Sequence, residues 1–160
     1  MAIARGYPCM RVSVIGGGRI TDEQRARAEA VGRELARRGH VVVCGGREGT
    51  MEAVCRGAKR EGGTTIGILP GERRGAANEF VDIAIATGLG HARNALVPLN
   101  GDAVIALSGG VGTLSELGFA GIYERPIVGL ETHDVSDLET EFESVDTPEA
   151  AVDAVETAFE

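Results

Sequence analysis

Glycine residues occur in three short clusters, and each cluster directly follows an apolar run of the chain. The clusters lie at residues 16–18, 45–50 and 109–113. A glycine leaves room for backbone N–H groups to approach an anion, and a helix that begins after it directs its positive end toward that anion. The alternative is that the glycines only close tight turns, for steric reasons. We predict that at least one cluster binds a ligand phosphate, through residues among Gly17, Gly18, Gly45, Gly46, Gly49, Thr50, Gly109, Gly110, Gly112 and Thr113.

The standard nucleotide-binding fingerprints do not fit these clusters. Residues 16–21 lack the third glycine of the dinucleotide motif G-x-G-x-x-G, and Cys44 stands where an acidic residue would bind the ribose, so NAD is disfavoured. The chain has no G-x-x-x-x-G-K-[ST] sequence, and Lys59 lies far from every glycine cluster, which argues against ATP hydrolysis of the P-loop kind. The His, Cys, Asp and Glu residues show no metal-ligand spacing, so we predict no metal site.

Short apolar runs, rich in Val and Ile, must position the glycine clusters. Each run is continuous, which is typical of strands whose two faces are both covered by helices. Because helical patterns alternate with them, we predict an α/β fold: a Rossmann-like, doubly wound and mainly parallel sheet with helices on both faces. Ligands bind such sheets beyond the carboxyl ends of the strands. The predicted strands are 11–15, 41–44, 64–69, 81–86, 103–107 and 126–130, and the helices are 22–38, 50–61, 91–99, 113–123 and 147–159.

The length and the charge of the chain indicate how many domains it has and which partners are excluded. A chain of 160 residues fits a single Rossmann-like nucleotide-binding domain over 1–160, with an N-terminal extension at 1–9. The segment 131–146 has seven acids and no Lys or Arg; we predict a solvated face there, with partner binding as the alternative. A net charge of −8 and an aromatic content of 4% argue against a nucleic acid or an anionic membrane as partner. Of 16 basic residues only Lys59 is a lysine, which favours adaptation to high salt or a GC-rich genome.

Cysteine usage and the start of the chain bear on the cellular compartment. The odd number of cysteines and the lack of C-x-x-C spacing predict free thiols in a reducing interior. Cys44 and Cys55 are predicted to be small buried hydrophobic residues. The first ten residues have no apolar signal region, and no run approaches the length of a membrane span. We therefore expect a cytoplasmic protein.

Three segments of this chain resemble motifs of one known family. Residues 45–52, Gly-Gly-Arg-Glu-Gly-Thr-Met-Glu, resemble the family's G-G-x-x-G-x-M segment. Residues 109–116, Gly-Gly-Val-Gly-Thr-Leu-Ser-Glu, resemble its P-G-G-x-G-T-x-x-E signature. Residues 91–94, His-Ala-Arg-Asn, resemble the segment that supplies its active-site arginine. Order and spacing match over residues 11–130, so the chain is similar to the LOG-like proteins. These are the cytokinin riboside 5′-monophosphate phosphoribohydrolases and relatives that include molybdenum cofactor carrier proteins.

The resemblance implies catalytic roles for Glu116 and Arg93. Glu116 would stabilise an oxocarbenium-like sugar as an N-ribosidic bond breaks, and Arg93 would hold the 5′-phosphate or the leaving base. The alternative for Glu116 is that it only closes a T-x-x-E capping box at a helix start, and for Arg93 that it is an ordinary surface arginine. The residues implied to bind the phosphate and to line the opposite wall are Gly110, Gly112, Thr113, Gly46 and Gly49.

Two departures from the family pattern leave two functional hypotheses open. Ser108 replaces the proline of the signature, and Asn94 replaces the lysine that commonly follows the arginine. Both favour the carrier-like branch, while Glu116 and Arg93 favour an enzyme. The first hypothesis is hydrolysis of a nucleoside 5′-monophosphate to free base and ribose 5-phosphate, with no cofactor required. The second is a non-catalytic protein that carries molybdenum cofactor or senses a nucleotide.

The helix at 113–123 bears on the oligomeric state. Leu114, Leu117 and Phe119 give this helix more apolar surface than one sheet needs, and family members commonly pair. We therefore expect a homodimer or a higher homo-oligomer whose ligand is a small nucleotide or phosphate compound. If the glycine clusters only close turns, the protein should bind no nucleotide at all.

Overall fold

The computed structural model describes residues 8–159, so the predicted extension at 1–9 lies largely outside the described residues. Strands and helices alternate along this range. The strands are β1 (Arg11–Gly16), β2 (Val41–Cys44), β3 (Thr65–Leu69), β4 (Ile83–Ala86), β5 (Ala103–Leu107), β6 (Ile127–Leu130) and β7 (Phe142–Ser144). The α-helices are α1 (Asp22–Arg37), α2 (Thr50–Arg60), α3 (Leu96–Leu99), α4 (Val111–Ile122) and α5 (Pro148–Thr157), with 3₁₀ turns at Arg74–Ala76 and Gly90–Ala95.

The strands form one parallel sheet in the order β4-β3-β2-β1-β5-β6-β7. The chain builds outward from β1 to β4 and then returns to the other side of β1, so the winding reverses between β1 and β5. Gly16 pairs with Leu107, which places the carboxyl ends of these two strands side by side. The predicted doubly wound α/β fold is confirmed, and its reversal point is where such sheets bind ligands.

Helices cover both faces of the sheet. On one face α1, α2 and α5 pack over a core that includes Val31 and Val54. On the other face α3 and α4 pack over a core that includes Val104 and Leu117. All of β5 is buried. This double coverage explains why the strand sequences are continuous apolar runs. No helix within residues 8–159 is both long and apolar enough to cross a membrane.

The helix predicted at 91–99 is wrong in part. A 3₁₀ turn occupies Gly90–Ala95, and only the four-residue α3 follows it. Pro98 has no N–H to donate to the carbonyl oxygen of Asn94, so a continuous α-helix through this position would lack a hydrogen bond. The turn that carries Arg93 is therefore held by tertiary contacts with α4 and α3, and not by a long helix of its own.

A strand in the acidic segment 131–146 was not predicted. β7 lies there, at one edge of the sheet beside β6. Its three residues are too few to show a pattern, and Phe142 is the apolar one among them. The seven acids of the segment are exposed, as predicted for a solvated face.

Candidate functional site

A cleft of about 340 Å³ opens at the carboxyl ends of β1 and β5, where the winding of the sheet reverses. Its walls come from the turns that follow β1 and β2, from the 3₁₀ turn after β4, and from the start of α4. The structure thus brings together segments far apart in the chain. The predicted site residues that line the cleft are Gly17, Gly18, Gly45, Arg93, Gly110, Gly112, Thr113 and Glu116.

The other predicted site residues lie outside the cleft lining and shape its turns. The Thr50 N–H donates to the carbonyl oxygen of Gly17 at 3.0 Å, and the Thr50 side chain is buried. Gly49 is the N-cap of α2, and a Cβ added there would lie 2.5 Å from the same Gly17 oxygen. Gly46 and Gly109 have φ angles of +75° and +105°, which side chains rarely adopt. These residues hold the turns that form the walls.

Residues that sequence reasoning did not assign also line the cleft. Met51 belongs to the G-G-x-x-G-x-M segment, and His91 and Asn94 flank Arg93, so the motifs that located the predicted residues could have located these as well. The end of β1 supplies the floor, which no side-chain pattern in the sequence indicates. The unassigned lining residues are Val14, Ile15, Gly16, Met51, His91 and Asn94.

Glu116 and Arg93 reach the cleft from different elements. Burial raises the pKa of the Glu116 carboxyl to about 7, and the nearby positive charge of Arg93 opposes part of this rise. Burial also lowers the pKa of the Arg93 guanidinium, whose Nε is buried and has no hydrogen-bond partner within residues 8–159. The two side chains interact by charge without a hydrogen bond between them. Both therefore retain hydrogen-bonding capacity for a ligand.

The alternative role of Glu116 in a capping box is wrong. Helix α4 begins at Val111 with Gly110 as its N-cap, and no side chain caps it. Thr113 therefore lies inside the first turn of α4 and cannot serve as the N-cap. The N–H groups of this first turn are not bonded within the helix, and Gly110 and Gly112 place them at the cleft wall. Such a helix start attracts an anion.

The Arg93 guanidinium lies directly against Gly45. A Cβ added at Gly45 would overlap the Arg93 Nη1 atom and would lie 2.6 Å from the Met51 sulfur. Behind Gly45, the sulfur atoms of Cys44 and Cys55 are 3.5 Å apart, and both residues are completely buried, as predicted. The absence of a side chain at position 45 thus makes the space that the guanidinium occupies.

Ser108 precedes the third glycine cluster and has a left-handed backbone, with a φ of +49°. Its N–H donates to the carbonyl oxygen of Glu131 at 3.0 Å, and its own carbonyl oxygen accepts from the Thr132 hydroxyl at 2.8 Å. A proline has a φ near −65° and no N–H. The turn therefore has a backbone that the proline of the P-G-G-x-G-T-x-x-E signature cannot adopt.

We expect Ser108→Pro to lower the free energy of unfolding by about 3 kcal/mol or more, because it forces φ to change sign and removes a hydrogen bond. Ser108→Gly should leave the stability within about 1 kcal/mol of the original, since glycine adopts this φ freely. Urea unfolding of both variants measures the difference. Equal stability of the two variants would contradict this account of the turn.

Comparison with known proteins agrees with this fold. The model of the SLOG cluster4 family matches residues 9–158. The structure of the molybdenum cofactor binding protein from Rippkaea orientalis superposes with a TM-score of 0.88, at 34% identity, over 96% of this chain and 99% of that chain. The molybdenum cofactor carrier protein of Chlamydomonas reinhardtii gives a TM-score of 0.88 and 31% identity, over 95% and 99% of the two chains.

The sequence also matches an enzyme. A cytokinin riboside 5′-monophosphate phosphoribohydrolase of Mycobacterium tuberculosis is 37% identical over 110 residues, which are 63% of this chain and 59% of that protein. The matched part of this chain thus corresponds to about three fifths of the enzyme. With a family model that spans nearly all described residues, the chain belongs to the SLOG cluster4 family of LOG-like proteins.

Proposed function

We propose that this protein hydrolyses the N-glycosidic bond of a nucleoside 5′-monophosphate to give free base and ribose 5-phosphate. The bond between C1′ and the base nitrogen breaks, water adds its oxygen to C1′, and a proton from that water goes to the departing base. The observation that carries the proposal is the pairing of Glu116 with Arg93 across one cleft, each with free hydrogen-bonding capacity. Above pH 7 the Glu116 carboxylate can stabilise the oxocarbenium-like sugar.

The phosphate of the substrate would lie at the start of α4. Backbone N–H groups at Gly112 and Thr113 are available there, and the helix adds its positive end. The Arg93 guanidinium has the fork geometry that suits phosphate oxygens. The glycines at 17 and 18 let the backbone approach the sugar from the opposite wall. In this arrangement the phosphate anchors the nucleotide, and its C1′ atom is placed within reach of Glu116.

A second candidate function is non-catalytic: carriage of molybdenum cofactor or sensing of a nucleotide. Two of the solved structures that match this chain over nearly its whole length are a molybdenum cofactor binding protein and a molybdenum cofactor carrier protein. The same helix start and the same arginine would bind the phosphate of that cofactor. A carrier should bind its pterin ligand tightly and release no base from nucleotides.

The two functions are separated by a turnover assay. The protein would be incubated with AMP, GMP, CMP, UMP and IMP at molar and at low KCl, and free base would be detected by chromatography. Release of base supports the hydrolase and names its substrate. No release from folded protein at either salt concentration rejects the hydrolase for these substrates. Tight binding of the cofactor would then support the carrier.

We also propose that this protein works in a cytoplasm with a high salt concentration, and the assay therefore uses both molar and low KCl. The net charge is −8, and the acids of segment 131–146 are exposed. The cysteines of the described residues are free thiols, which suits a reducing compartment. A stability that rises with KCl concentration would support the salt adaptation.

We also propose a homodimer that forms through α4. The helix exposes Val111, Leu114 and Ile122, whose exposed fractions are 85%, 45% and 72%, at a spacing that places them on one face. Leu117, which the sequence prediction had included in this surface, is buried inside the chain. Phe119 is half-buried and stacks on Tyr123, with ring centroids 6.1 Å apart.

We expect Ile122→Glu to convert the dimer to a monomer, because it places a charge in an apolar contact. The matched control is Leu138→Glu, which changes an exposed leucine of the acidic segment, with an exposed fraction of 55%, and should leave the dimer intact. Light scattering after size-exclusion chromatography gives the mass in each case. A monomeric original protein, or a dimer that persists in the Ile122→Glu variant, would contradict the proposed interface.

A further inference from the structure

A chain of two hydrogen bonds joins Asn94 to the start of α4. The Asn94 amide nitrogen lies 3.2 Å from the Ser115 hydroxyl oxygen, and that oxygen lies 2.6 Å from the carbonyl oxygen of Gly112. A carbonyl oxygen can only accept, and a hydroxyl has one hydrogen to donate. The Ser115 hydroxyl therefore donates to Gly112 and accepts from Asn94. This requirement fixes which end of the Asn94 amide carries the N–H groups.

The remaining end of the amide, Asn94 Oδ1, is an acceptor without a partner within residues 8–159. Asn94 is half-buried and lines the cleft. The same cleft is lined by donors, which are the Arg93 guanidinium and the N–H groups of the first turn of α4, and by the Glu116 carboxyl. Asn94 thus adds an oxygen acceptor beside the start of α4, whose N–H groups suit an anion.

The position of Asn94 limits which ligand group can use this acceptor. Its amide nitrogen lies 3.9 Å from where a Cβ on Gly112 would be, so the side chain lies beside the first turn of α4. A phosphate dianion bound at that turn has no hydrogen to donate, and the oxygen of the amide would repel it. The group that follows the 5′-phosphate in a nucleotide is the ribose, and its hydroxyls can donate.

We propose that Asn94 is a specificity-determining residue whose Oδ1 accepts a hydrogen bond from a ribose hydroxyl of the bound nucleotide. The assignment rests on the proposed function in one respect, the placement of the nucleotide phosphate at the start of α4. Ser115 acts through Asn94: it holds the amide in the orientation that presents the oxygen, and not the nitrogen, to the ligand.

The test compares the dissociation constants of AMP, 2′-deoxy-AMP and 3′-deoxy-AMP by calorimetry. A Glu116→Gln background keeps the nucleotides intact. We expect AMP to bind about tenfold more tightly than the analogue that lacks the contacted hydroxyl, the effect of one such hydrogen bond. Asn94→Leu should bring this ratio close to one. Asn94→Asp should weaken all three ligands, because it adds a negative charge, but should keep the ratio, because it retains an acceptor.

The matched control is Asn100→Leu, which makes the same change at an exposed asparagine whose side chain bonds to Leu96 on α3. The Asn100→Leu variant should prefer AMP over the deoxy analogue by the same factor as the original protein. Equal binding of the three nucleotides, or a ratio unchanged by Asn94→Leu, would overturn the assignment of Asn94. A different result would contradict the hydrolase proposal alone. In that case the nucleotides would differ in affinity according to their ribose hydroxyls, but the protein with Glu116 intact would release no base. Folded protein that binds none of the nucleotides would overturn both proposals.

Discussion

Replacing Glu116 with glutamine is expected to lower base release by about 10³-fold or more, while nucleotide binding stays within about tenfold. Glutamine has the shape of glutamate but no charge, so it keeps the contacts of the bound substrate and loses the attraction to the oxocarbenium-like sugar. Single-turnover rates and dissociation constants separate these two effects. The matched control is Glu143→Gln on β7, an exposed carboxylate far from the cleft in the sheet order, which should change neither quantity.

The same carboxylate predicts how turnover depends on pH. Burial raises the pKa of Glu116 to about 7, so the reactive carboxylate is the major form only above that pH. We expect kcat/KM to rise with pH and to level off above about 7, since this parameter reports the groups of the free enzyme. A profile that is flat from pH 5 to pH 8 would mean that the charge of Glu116 has no part in the reaction.

The Glu116→Gln variant should also be more stable than the original protein, although it loses activity. The folded state binds this proton more tightly than the unfolded chain, because the pKa rises from an ordinary value of 4.5 to about 7. The contribution of Glu116 to the free energy of unfolding therefore falls as pH rises from about 4.5 to about 7. Above that range the ionised, buried carboxylate destabilises the fold by the full amount. We expect a gain of about 1 to 3 kcal/mol at pH 8 and none at pH 4, measured by urea unfolding. A loss of stability at pH 8 would contradict this.

Much of the fold and part of the cleft could be predicted because they depend on local patterns. The buried strands are continuous apolar runs, and the glycine clusters stand directly after them, so the carboxyl edge of the sheet was identifiable. Gly17, Gly45 and Gly112 were assigned in this way, Glu116 was assigned from the family resemblance, and all four line one cleft.

The remaining features depend on contacts between distant residues. The T-x-x-E spacing at Thr113 fits a capping box, but the helix begins earlier because Gly110 supplies the N-cap. The helix predicted around Arg93 is replaced by the 3₁₀ turn Gly90–Ala95 and the short α3, and this turn packs against α4. Gly45 lines the cleft and Gly46 does not, because of the conformation of the turn after β2. Two adjacent glycines in a sequence do not indicate that conformation. Local patterns therefore located the edge of the sheet but not each residue on it.

The second large effect is expected at Gly45, whose missing side chain makes room for Arg93. Gly45→Ala should weaken nucleotide binding by about 10²-fold, which corresponds to the loss of a charge-assisted hydrogen bond. An added Cβ would overlap the end of the Arg93 side chain and would press on Met51, so the guanidinium must move. Both of those groups are flexible side-chain ends, so the fold and the unfolding midpoint should change little. Gly75→Ala is the matched control, because Gly75 lies in the exposed 3₁₀ turn Arg74–Ala76, outside the cleft lining, with no atom within 4 Å of an added Cβ.

A double-variant cycle tests whether Gly45 acts through Arg93. Arg93→Ala alone should weaken binding by about 10²-fold, as expected for the loss of a guanidinium that contacts phosphate. If Gly45→Ala acts only by displacing that guanidinium, adding it to Arg93→Ala should cost little more, so the two effects should be far from additive. Calorimetric titration of AMP into the four proteins gives the coupling. Full additivity would show instead that the backbone at Gly45 contacts the ligand itself, and that the arginine is held in place by other neighbours.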